Sequence, residues 1–137
     1  MKRDDGAYTL TEMLVVIGII ALLAAALTPA LIGQFSRARV KTAKLQLETV
    51  ASAVEQFRSD VGRYPSAAEG LPALITKPQA AEGWIGPYLR DDKALKDPWG
   101  HAILYKLDPT GDQISLVSLG SDGKEGGDGT AADIHVP

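Results

Sequence analysis

The sequence predicts an α+β protein: one long N-terminal helix packed against a small antiparallel β-sheet, with a glycine-rich acidic loop at the C-terminal end. Three observations predict it. Residues 13–33 are apolar and uncharged. Residues 40–61 repeat apolar side chains at alternating spacings of three and four. Beyond Gly62 the composition shifts to Gly, Pro and two short β-like runs.

The first half of the helix is long enough to span a membrane. At ~1.5 Å per residue, the uncharged run crosses a hydrocarbon core of ~30 Å. A cleaved secretory signal has an apolar region of about 7–15 residues and no helix continuing beyond it, which argues against that reading. Glu12 stands at the mouth of the run. An acid at the bilayer centre costs about 2.5–3.5 kcal/mol on insertion scales, so a partner for Glu12 is expected. Another copy of the chain would supply one; a plain membrane anchor is the simpler alternative. Charge counting opposes the orientation reached below. Lys2 and Arg3 are offset by Asp4 and Asp5, whereas Arg37, Arg39, Lys41 and Lys44 follow the run. The positive-inside rule would then place the C-terminal flank in the cytoplasm.

The helix is expected to continue from about residue 8 to residue 61, roughly 80 Å. Val40, Ala43, Leu47, Val50, Val54, Phe57 and Val61 form one apolar stripe, with charged and amide residues between them. That stripe predicts a core-facing helix. Pro29 should kink or locally melt the helix near residues 25–26, and Gly18 and Gly33 are further soft points. Gly62 ends the helix, and Tyr64-Pro65 enforces the break.

Residues 67–75 suggest a short helix weakened by Gly70 and Pro72. Residues 101–107 and 113–119 read as strands joined by a turn at Asp108-Pro-Thr-Gly-Asp. In the second strand Ile114, Leu116 and Ser118 alternate with Ser115, Val117 and Leu119. Each face mixes apolar residues with serine, so partial cover on both faces is expected. The globular part is marginal for its size and the chain has no cysteine, leaving a metal or assembly as the staple. A net charge of −3 gives no reason to expect nucleic acid. His101 and His135 are isolated, and neither G-x-S-x-G nor H-E-x-x-H occurs, so no catalytic constellation emerges.

Asp122, Glu125, Asp128 and Asp133 lie among five glycines in the tail, from Gly120 to Gly129. Calcium takes six to eight oxygens from carboxylates and carbonyls, and glycine lets a loop wrap closely. The spacing matches neither an EF-hand nor a phosphate loop. Composition alone leaves two readings open, a calcium loop and a solvated acidic tail.

The stretch GAYTLTEMLVVIGIIALLAAALTP resembles the N-terminus of type IV pilins and type II secretion pseudopilins. Downstream, YPSAAEGLPAL, DPWG and SLGSDGKEGG resemble the major pseudopilins, so the likeness covers nearly the whole chain. The resemblance implies a leader of residues 1–7 cut between Ala7 and Tyr8 by a prepilin peptidase, with N-methylation of Tyr8. Residues 8–33 then form the transmembrane and assembly half, and residues 34–137 a periplasmic domain. Where the family has Gly and then Phe or Met around the cut, this chain has Ala7 and Tyr8, with Gly6 one residue earlier. Glu12 falls on the family's assembly glutamate and Pro29 on its helix-breaking proline. The resemblance also implies calcium held by the Leu119 carbonyl, Asp122, Asp128, Thr130 and Asp133; the family's second acid falls at Gly129, and Asp128 beside it is the substitute. The implied function is the major subunit of a periplasmic filament that drives export of folded proteins, with no enzymatic role. Implied partners are further copies of the chain, minor pseudopilins, an inner-membrane assembly platform, the peptidase/methyltransferase and the exoproteins. A minor or adhesive pilin-like subunit is the alternative.

Overall fold

The computed structural model describes residues 8–137. Residues up to Ser36 form one compact unit and Arg37–Pro137 a second, and a single helix, α1 (Leu10–Val61), contributes to both.

In the first unit, α1 begins two residues later than expected. Thr9 is the cap: its hydroxyl accepts the Glu12 amide at 3.2 Å and its carbonyl accepts the Met13 amide at 3.1 Å. A capping threonine stays outside the helix, which explains the shift. The helix is not interrupted near residues 25–26, and Pro29 stands inside it. Proline removes one amide donor, and the neighbouring Ala24 carbonyl gains a side-chain donor, the Thr28 hydroxyl at 2.6 Å. The helix is long and apolar enough to cross a membrane, and none of its apolar stretch is buried.

In the second unit the expected stripe is the core. Leu47, Val50, Val54 and Phe57 are completely buried, Ala43 nearly so, and Val40 and Val61 half-buried at its ends. Each fully buried side chain of this size contributes roughly 1.5–3 kcal/mol. They pack with Tyr64, Leu71, Leu74, Leu89, Ile103 and Leu116 from the rest of the unit. Gly62 closes α1, its amide donating to the Arg58 carbonyl at 2.8 Å.

After α1, the short helix expected over residues 67–75 reduces to a 3-10 turn, Leu71–Leu74, with Pro72 at its start. Gly70 and Pro72 leave too few residues that favour a longer helix. A second 3-10 turn covers Asp92–Leu95. The sheet is antiparallel, ordered β1 (Leu104–Leu107), β2 (Ile114–Ser118) and β3 (Ile134–Val136). Leu104 pairs with Val117, and Leu116 pairs with Val136. The β1–β2 turn is held by Asp108, whose Oδ1 accepts the Asp112 and Gln113 amides at 2.9 and 3.0 Å. The Thr110 hydroxyl donates to its other oxygen, and these bonds hold the carboxyl down at about 2.

Both strands are shorter than expected, and β3 is an addition. Residues 101–103 leave the ladder because Lys96 and Ala102 form an isolated bridge around the Pro-Trp-Gly turn. In β2, Leu116, Val117 and Ser118 are all buried, so both faces are covered, as the mixed alternation predicts.

Candidate functional site

The residues expected to carry function lie in two places: the opening turn of α1 and the segment after β2. At the first, Glu12 lies in the first helical turn, where an acid is favoured by the helix dipole by about 0.3–1 kcal/mol. Its side chain is exposed, and among the described residues it makes no ion pair or hydrogen bond. Tyr8 precedes it, also exposed; Ala7 lies outside the described residues. Pro29 is on the same helix, further along the apolar half.

At the second, the chain leaves β2 at Leu119 and folds back on itself. The Ser121 amide donates to the Thr130 carbonyl at 2.9 Å, and the two hydroxyls lie 3.5 Å apart. The return strand passes so close to Gly120 that a Cβ there would meet the Ala131 carbonyl carbon at 2.8 Å. Gly120 also has φ 65, so glycine is required twice over. Asp133, at the foot of β3, accepts the Gly126 amide on Oδ2 at 3.0 Å. Its Oδ1 is buried with no hydrogen-bond partner among the described residues. An acceptor left so costs roughly 1–3 kcal/mol, more for a charged group, and an ordered water or a cation would satisfy it.

The remaining candidates are spread around this fold-back. Asp122 is exposed and caps its own turn, Oδ1 accepting the Lys124 amide at 3.1 Å. Asp128 is exposed and precedes the 3-10 turn Gly129–Ala131 without a side-chain cap bond. Leu119 and Thr130 are half-buried. Among the described residues no three acids or histidines converge as a metal cluster. Carboxylate, carbonyl and hydroxyl oxygens are the donor types calcium takes, and among the described residues Asp133 Oδ1 is the buried side-chain oxygen left without a hydrogen bond.

Sequence reasoning missed what supports this loop from below. Asp97, the first residue of Asp-Pro-Trp-Gly, has a buried carboxylate. Its Oδ1 accepts the Trp99 and His101 amides at 3.1 and 2.8 Å, and its Oδ2 accepts the Ser118 hydroxyl at 2.7 Å. His101 Nδ1 in turn lies 3.0 Å from the Gly120 carbonyl. The available signals were an aspartate opening a Pro-Trp-Gly turn and Ser118 on the strand face shared with Ile114 and Leu116.

Elsewhere, Arg63 grips Glu69 with two bonds of 2.7 and 2.8 Å, and Glu69 also accepts the Ser66 amide. The guanidinium holds the Glu69 carboxyl down at about 2. Tyr105 donates to the Pro65 carbonyl at 2.7 Å, and burial pushes its phenol up to about 12.

An exposed membrane-length helix, opened by an acid and continued into the core of a small sheet domain, defines a pilin-like subunit. Residues 30–137 match the family model described as type II secretion system protein G, and residues 2–28 match the prokaryotic N-terminal methylation motif. The chain belongs to the type II secretion system protein G family. The type II secretion system core protein G of Xanthomonas campestris is 36% identical over 97% of this chain and 90% of its own length. That of Pseudomonas aeruginosa is also 36% identical, over 97% of this chain and 95% of its own. The crystal structure of the major pseudopilin from the type 2 secretion system of enterohaemorrhagic Escherichia coli superposes with a TM-score of 0.60 at 28% identity. It covers 77% of this chain and 91% of that one. The matches do not favour a minor or adhesive subunit.

Proposed function

We propose that this chain is the major subunit of a type II secretion pseudopilus, anchored in the inner membrane and polymerising into a periplasmic filament that drives folded proteins across the outer membrane. The observation that carries this reading is the apolar half of α1, exposed along its length and opened by Glu12. An apolar surface of that extent calls for lipid before assembly and for other helices after it.

In this reading a prepilin peptidase cuts between Ala7 and Tyr8 with the leader in the cytoplasm, and the new terminus is methylated. The ammonium on Tyr8 of an incoming subunit meets Glu12 of a neighbour. Pairing removes two costly charges from hydrocarbon and sets one docking register. Gly18 and Pro29 let the helix loosen as it moves from bilayer to filament. Minor pseudopilins, an assembly platform and the exoproteins complete the set of partners. The sequence has no Gly-Lys-Ser/Thr phosphate loop, so a separate motor supplies the energy. Calcium, held by the Leu119 carbonyl, Asp122, Asp128, Thr130 and Asp133, would tie the C-terminal loop to the sheet. The partnerless Asp133 oxygen supports that part of the reading.

The test is filament formation by the full chain overproduced with its secretion system. Wild-type chain should yield long sheared fibres, and Glu12→Gln should yield none while its sheet domain melts as before. Equal fibres from both would remove the docking role of Glu12. No fibres from wild type would point to a minor subunit instead.

A further inference from the structure

His101 touches the C-terminal loop at two places. Its Nδ1 lies 3.0 Å from the Gly120 carbonyl. Donation to a carbonyl places the hydrogen on Nδ1, in the neutral ring as in the charged one, so the bond does not depend on protonation. The far edge of the ring faces Gly123, where an added Cβ would lie 3.0 Å from Nε2 and 3.1 Å from Cε1. Gly120 follows Leu119 and Gly123 follows Asp122. The two contacts therefore bracket the stretch that carries the first two proposed calcium donors.

The imidazole is itself held. The backbone amide of His101 donates to Asp97 Oδ1 at 2.8 Å, and Asp97 Oδ2 lies 3.7 Å from Nδ1. That same Oδ2 accepts the Ser118 hydroxyl at 2.7 Å, and the Ser118 oxygen in turn lies 3.4 Å from the Gly120 amide. A closed ring of bonds thus runs from Asp97 through Ser118 and Gly120 to His101 and back. Asp97 and Ser118 are buried, so this ring is a fixed platform, whereas the loop it meets is exposed from Lys124 to Gly129.

We propose that His101 is a positioning residue that clamps Leu119–Gly123 in its cation-ready shape before any ion arrives. Its bearing on calcium rests on the calcium reading above; the clamp itself does not. Second-layer partners of this kind, when removed, weaken metal binding by ~10–100-fold.

The experiment uses full-length chain in detergent micelles, as wild type, His101→Leu and His101→Asn. Asparagine can offer an N–H close to the Nδ1 position, whereas leucine fills the space without a donor. Two quantities are read: amide hydrogen exchange of Ser121–Lys124 in chelator, and the calcium dissociation constant by titration calorimetry. The clamp predicts at least tenfold faster exchange in His101→Leu, recovery toward wild type in His101→Asn, and calcium binding at least tenfold weaker in His101→Leu alone. Exchange in β2 should stay as in wild type for all three, which separates loss of the clamp from loss of the fold. Equal loop exchange in wild type and His101→Leu overturns the proposal, as does unchanged calcium affinity. A wild-type chain that binds no calcium sinks the calcium reading, and the exchange data still decide the clamp. If His101→Leu does not fold, His101→Ala is read in its place, and loop exchange equal to wild type in that variant overturns the proposal.

Discussion

Leu22 and Leu47 belong to one helix, but Leu22 is 72% exposed and Leu47 is 0% exposed. The same division separates the acids. Glu12 has no partner among the described residues, whereas Glu69 in the second unit holds Arg63 bidentately and Asp97 is buried with three donors around it. The second unit covers its apolar stripe from its own chain and pairs these two acids there. Among the described residues the first unit covers neither its apolar surface nor Glu12, as expected of a segment that meets a membrane. An element can thus be locally complete as a helix and still leave its surface uncovered.

Truncations should make that contrast sharpest. Phe57→Ala is expected to cost about 3–5 kcal/mol in the stability of the second unit, measured by urea unfolding in micelles. Leu22→Ala should leave that unfolding curve within about 0.5 kcal/mol of wild type. A large effect of Leu22→Ala would break the comparison, because the first unit would then be supporting the second.

A smaller loss tests the buried acid. Asp97→Ala leaves the Trp99 and His101 amides and the Ser118 hydroxyl without their acceptor, and is expected to cost about 3 kcal/mol. Asp97→Ala combined with Ser118→Ala should cost less than the two single changes added together, because they share one bond. Strict additivity would show that the Ser118–Asp97 bond contributes nothing.

The smallest effect is electrostatic. Glu69 has an ordinary carboxyl value of 4.5 and titrates at about 2 when folded, because Arg63 stabilises its anion. A depressed folded value gives stability that is complete above the unfolded value and disappears as the pH falls toward about 2. Wild type should therefore lose more stability between pH 5 and pH 2 than Arg63→Met. Near neutral pH the variant should be weaker by about 1 kcal/mol or less, since the guanidinium is partly exposed. Parallel pH curves for the two proteins would show that the pair makes no net contribution.

The residues that were legible are those whose role is periodic or compositional. The stripe from Ala43 to Phe57 could be read because helical spacing puts every fourth or third residue on one face, whatever covers it. The membrane-length run could be read because backbone groups in lipid must bond within their own helix, which demands a long uncharged segment. The hairpin could be read from Asp108 and Gly111, since turn chemistry is local. Residues 67–75 were misjudged because a few good helix formers compete with Gly70 and Pro72, and packing of Leu71 and Leu74 into the core favours a tight 3-10 turn.

By itself, the sequence determined that there is one long helix, which of its halves faces a core, and where an acid opens it. Only the tertiary structure decided that Ile134–Val136 pairs with β2, that one oxygen of Asp133 is left without a donor, and that Asp97, Ser118 and His101 meet beneath the C-terminal loop. The physical reason is range. Periodicity and turn preference act over a few residues, whereas these contacts join side chains up to 21 positions apart along the chain. Such contacts exist only once the sheet has brought the segments together.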